Sequence, residues 1–158
     1  MCSSDLGSRI GNCLRILMQG GAVGRILVDG NSLRQCPMGR GIEAVSRNGS
    51  GGTDFTISNN NVNPDDTTGF PLAAIFVQSN AVSVPNSLRA DIFGNTVPVG
   101  STFDIVNTYL GLVGSNGATC QLVGNAANPT AQLTDTNTGS ASAGGTCVLI
   151  PGPITTPP

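Results

Sequence analysis

The chain has 158 residues, enough for one domain and short for two. Gly, Asn, Thr and Ser supply 66 of them, 39% are apolar and only 10% are charged, so a core is affordable but the helix formers of a bundle are scarce. The net charge is -2, all seven cations are arginine and histidine is absent, which excludes a basic nucleic-acid footprint, a Ser-His-Asp or Cys-His pair and a His-ligated metal.

Residues 1–6, Met-Cys-Ser-Ser-Asp-Leu, resemble a translated sequencing-adapter tail and are set aside from fold reasoning. That removes Cys2 from the count and implies an N-terminally truncated fragment of a longer chain, with any signal peptide out of view. The remaining cysteines are Cys13, Cys36, Cys120 and Cys147. They suit either free buried thiols or two disulfides, with the local pairings Cys13–Cys36 and Cys120–Cys147 the first to test. No spacing matches a zinc site and no apolar run reaches a membrane span, so no metal, cofactor or span is expected.

Three segments repeat one pattern of alternating apolar residues, a polar or glycine step, an asparagine and an aliphatic two residues on. They are Ile26 to Leu33 around Asn31, Phe55 to Val62 around Asn60, and Ala90 to Val97 around Asn95. A weaker copy, Leu133 to Thr138 around Asn137, has its apolar positions slipped by one. A second strand follows each asparagine: Ile42-x-Ala44, Ile75-x-Val77, Phe103-x-Ile105 and Val148-x-Ile150. Period two turns these residues to one face and Glu43, Phe76, Asp104 and Leu149 to the other.

Constant strands separated by variable loops predict stacked coils with insertions. The expected fold is therefore all-β, a parallel β-helix solenoid of about four coils over residues 7–150. Stacking sets Ile26 over Phe55 over Ala90, and Val28 over Ile57 over Ile92. The asparagines tolerate a left-handed bend, which Gly30 and Gly94 just before them also serve, and form a side-chain ladder, Asn31, Asn60, Asn95 and Asn137. Residues 151–158, rich in proline, read as a tail or linker.

The steps Ile57-Ser-Asn-Asn60-Asn-Val62 and Ile92-Phe-Gly-Asn95-Thr-Val97 resemble the repeat of right-handed parallel β-helix proteins of the pectin-lyase-like kind. The ending from Asn137 to Pro153 is similar to the C-terminal ends of large bacterial β-helix proteins. The resemblance implies a segment of a secreted or cell-surface bacterial protein, stacked on upstream coils of its own parent chain. It implies a structural or adhesin-like role with a polysaccharide or surface glycan as partner, and no nucleic acid. The alternative it implies is a polysaccharide lyase or glycoside hydrolase.

For that alternative the carboxylates on the outward face are Glu43, Asp91 and Asp104. Glu43 and Asp104, two coils apart, would stand roughly 9.5 Å from one another, the edge of an inverting pair's separation. Phe76 between them suits a sugar-stacking platform or a loop-covered apolar residue, and Arg47 and Arg89 are available cations. Without lysine or histidine, solvated charges on a β face account for these residues better than catalysis does. Asp65 and Asp66 suit calcium or, more simply, a loop tip in Asn63-Pro-Asp-Asp-Thr-Thr-Gly69. The segments Gly20–Gly24, Gly49–Asp54 and Thr134–Thr138 fall short of a phosphate loop, a calcium repeat array and a threonine array respectively.

Overall fold

The computed structural model describes residues 13–34, 36, 40–47, 52–63, 73–80, 87–97, 109–115, 118–144 and 147–154. Its strands are β1 (Leu14–Gln19), β2 (Gly24–Asp29), β3 (Ser32–Arg34), β4 (Ile42–Arg47), β5 (Thr53–Ser58), β6 (Asn61–Asn63), β7 (Ile75–Asn80), β8 (Ser87–Phe93), β9 (Tyr109–Ser115), β10 (Thr119–Val123), β11 (Ser140–Gly144) and β12 (Cys147–Ile150), with one helix, α1 (Pro129–Thr136). Every pairing between these strands is parallel. One sheet runs β1-β4-β7-β9-β11, a second runs β12-β10-β8-β5-β2, and a short third face pairs β3 with β6. The chain visits the two long sheets alternately and climbs one strand per visit, which makes a parallel β-solenoid of about three regular turns. No helix among the described residues is long and apolar enough to cross a membrane.

The core is a set of side-chain columns between the sheets. Ile26 stands beside Phe55 and Phe55 beside Ala90; Val28, Ile57 and Ile92 form the next column. On the first sheet Leu14, Ile42 and Ile75 align, as do Ile16, Ala44 and Val77. Phe55, Ile57, Ile42, Ala44, Ile75 and Val77 are fully buried. At 20–33 cal/mol per Å² of apolar surface removed from water, such columns carry the fold, and no coil can bury them alone. The coils approach closely at Gly41, where an added Cβ would lie 2.0 Å from a Val62 methyl.

Two of the expected second strands are corrected. Beside Ile75 and Val77 stand Leu110 and Leu112 of β9, and Phe103, Asp104 and Ile105 lie outside the described residues. β12 belongs to the second sheet, not the first: Cys147 and Leu149 align with Cys120 and Leu122, and Val148 is half exposed. A half-turn of solenoid separates these places, and alternation alone does not say which sheet a strand joins.

The corners are built on asparagine, with one change from expectation. At the first three corners the left-handed residue is the one before the ladder asparagine: Gly30 (φ 68°), Asn59 (φ 56°) and Gly94 (φ 67°). The ladder asparagine follows in ordinary backbone and uses its amide instead. At the fourth corner the apolar slip around Leu133 is a helix. Asn128 caps α1 by accepting from the Ala131 N–H, Pro129 begins it, and Leu133 is buried in the core. Disulfides join Cys13 to Cys36 (Cα–Cα 5.2 Å) and Cys120 to Cys147 (Cα–Cα 4.4 Å), the second between directly paired residues of β10 and β12.

Candidate functional site

The ladder comes first because it sets the register of the outer faces. Asn60 Oδ1 accepts from the backbone N–H and the side-chain amide of Asn31, both at 2.9 Å. Asn95 Oδ1 accepts the same pair from Asn60, at 3.0 and 2.9 Å, and Asn137 Oδ1 from Asn95, at 3.0 and 2.8 Å. Each amide also donates back one coil: Asn60 to the Val28 carbonyl, Asn95 to Ile57 and Asn137 to Ile92. Asn60 and Asn95 are buried, so every one of these bonds replaces water that cannot reach them.

With register fixed, the residues just ahead of the core columns line up on the outside of the second sheet. Arg25 pairs with Asp54, Asp54 with Arg89 and Arg89 with Gln121. Arg89 grips Asp54 in a fork, Nε to Oδ1 at 2.8 Å and Nη2 to Oδ2 at 2.5 Å, and the Arg25 Nε stands 3.6 Å from the same Oδ2. The hydrogen bond to Asp54 raises the Arg89 pKa above its ordinary value. Beside this column run Val23, Gly52, Ser87 and Thr119, and between the two lies an open groove of about 460 Å³ along the solenoid. Both arginine side chains remain about half exposed (53% and 47%), while the Asp54 side chain is 10% exposed. The groove thus presents two cations against one covered carboxylate.

The first sheet places the other expected residues. Glu43 is buried and held by Arg15 (Nε–Oε2 2.9 Å) and by Arg40. The Arg40 guanidinium lies over the Phe76 ring, 3.8 Å from its centroid, so the ring face that would stack on a sugar is covered. The position two coils from Glu43 is Gly111, so no carboxylate completes a pair there. Arg47 donates from Nε to Gln19 Oε1.

Asp91 stands on β8 in the second sheet, so it and Glu43 do not share a face. It stands beside Thr56 of β5, and among the described residues it has no hydrogen bond or ion pair. Burial pushes its carboxyl above the usual range. Asp65, Asp66 and Asp104 lie outside the described residues, as do residues 1–6 and 155–158. Among the described residues no three His, Cys, Asp or Glu side chains converge.

Sequence reading missed Arg25 and Asp54, although the signal was present. Once Ile26, Phe55 and Ala90 are stacked, the residue before each must stack too. No family model, curated protein or solved structure matches the chain.

Proposed function

We propose that this chain is a non-catalytic, ligand-binding segment of a larger secreted or cell-surface bacterial β-solenoid protein of the pectin-lyase-like kind, and that its groove takes an anionic polysaccharide. The observation that carries the reading is the Arg25–Asp54–Arg89 column. It offers one uncompensated positive charge in a groove that runs along the solenoid, the direction in which an extended chain would lie. Arginine forks suit carboxylate or sulfate groups, and Ser87, Thr119 and Gln121 supply hydroxyl and amide partners for sugar hydroxyls. Two disulfides favour an oxidising compartment. Against catalysis stands Glu43, already engaged by two arginines and on a different sheet from Asp91.

Calorimetric titration with polygalacturonate and with a neutral glucan tests the reading. Binding of the polyuronate alone is expected, weakened about tenfold by Arg25→Ala, a loss near 1.4 kcal/mol. Equal binding of the neutral glucan, unchanged in the variant, would remove the groove from consideration. Release of unsaturated or reducing ends, lost in Asp91→Asn, would establish the lyase or hydrolase reading instead. Asp91 is the residue that favours it, being partly buried and unpaired among the described residues.

A further inference from the structure

The asparagine ladder has a direction, and its two ends differ. Each asparagine donates its N–H and its amide forward to the next Oδ1, and donates its amide back to a strand carbonyl of the coil before. At the last rung the pattern closes: the Asn137 amide is taken up by the Ile92 and Leu133 carbonyls and by Thr136 Oγ1. At the first rung it stays open. Among the described residues Asn31 Oδ1 accepts no hydrogen bond and no earlier coil offers the Asn31 amide a carbonyl, so that amide bonds the Asp29 carbonyl of its own coil at 3.1 Å.

The core is incompletely covered at this end, as it is at the other, where Ala141, Ala143, Cys147 and Leu149 are partly buried. Leu14, Ile16, Met18, Ile26 and Leu33 of β1, β2 and β3 are only partly buried, whereas Ile42, Ala44, Phe55 and Val62 in the next coil are fully buried. Those three strands are also the outermost of their sheets.

We infer that this end is a docking surface for one further solenoid coil, continuous with this chain on its N-terminal side and carrying its own asparagine corner. That asparagine would donate its N–H and its amide to Asn31 Oδ1, and its strand would offer the carbonyl that the Asn31 amide lacks. A second copy docked head to tail would meet the corner after β12, Pro151-Gly152-Pro153, which holds no asparagine and whose prolines carry no N–H. Docked head to head, two copies would set acceptor Oδ1 against acceptor Oδ1.

The test inserts a duplicate of residues 41–73 between residues 12 and 13 of the full chain, which spaces the added strand from Leu14 as Ile42 is spaced from Ile75. Amide hydrogen exchange is followed by mass spectrometry. In the unmodified chain β1 to β3 should exchange faster than β4 to β6; equal protection would overturn the inference whether or not the insertion folds. In the extended chain exchange over β1 to β3 should slow by about tenfold, a gain reduced when the corner asparagine of the duplicate is changed to alanine. Unchanged exchange in a folded extended chain overturns it. So does a discrete dimer of the unmodified chain in sedimentation velocity with β1 to β3 already protected, because the occupant is then a second copy.

Discussion

At the scale of single residues, position in the ladder decides what an asparagine is worth. Asn60 supplies the acceptor for two Asn31 donors and sends its own amide to Val28 and Asn95. Replacing it with alanine strands these partners in a buried corner, for a loss of about 3 kcal/mol. Asn31→Ala keeps the backbone N–H that reaches Asn60 Oδ1 and removes an Oδ1 that accepts nothing among the described residues, so its loss should be nearer 1 kcal/mol. Urea denaturation separates the two, and equal losses would show that ladder geometry does not govern these corners. Asp91 gives a pH signature of opposite sign to an ordinary paired carboxylate. Its folded-state pKa is raised by burial, so its stabilising share is complete below the unfolded value of about 3.9 and is lost as pH rises through the folded value. Asp91→Asn should therefore raise the melting temperature at pH 7 and leave it unchanged at pH 3; an equal shift at both pH values would point to packing instead of charge.

At the scale of the element, register is the testable quantity. Ile57→Asp puts a carboxylate into a fully buried column and should abolish folding, whereas Leu27→Asp, on the outer face of β2 and 46% exposed, should cost about 0.5 kcal/mol. Comparable effects in circular dichroism would refute the inward assignment. Thr56 does not serve as the outer control, although alternation turns it outward, because it stands between Leu27 and Asp91 and is buried.

The second sheet was legible in the sequence where strand, corner and asparagine form one unbroken run, as from Ile26 to Asn31 and from Phe55 to Asn60. The first sheet was less so, because a loop of free length intervenes. Phe103-x-Ile105 and Leu110-x-Leu112 alternate equally well, and the distinguishing signal was distance. Ile75 and Leu110 each lie 15 residues past their asparagine. In β12 both Val148-x-Ile150 and Cys147-x-Leu149 alternate, and only the second, with Cys147 counted as a small hydrophobe, matches Cys120-x-Leu122. Outer-face burial stayed illegible, since it depends on what neighbouring strands and loops lay across each position.

At the scale of the molecule, stability is a chain of neighbour interactions, so the ends and the middle should respond differently to one perturbation. The middle coils rest on the fully buried columns of β4, β5, β7 and β8. The ends depend more on covalent closure. Cys13–Cys36 spans 23 residues beside the first coil, and Cys120–Cys147 spans 27 and encloses α1 with the last asparagine corner. On the chain-entropy account each closure contributes about 3.5 kcal/mol. Reduction should then release β1 to β3 and the region from α1 to β12 into rapid hydrogen exchange while β5 and β8 keep their protection. The Cys120→Ser/Cys147→Ser double variant should release only the C-terminal region. Uniform loss of protection on reduction would mean that the coils unfold as one cooperative unit, and that the buried columns couple the ends to the middle more strongly than a nearest-neighbour stack allows.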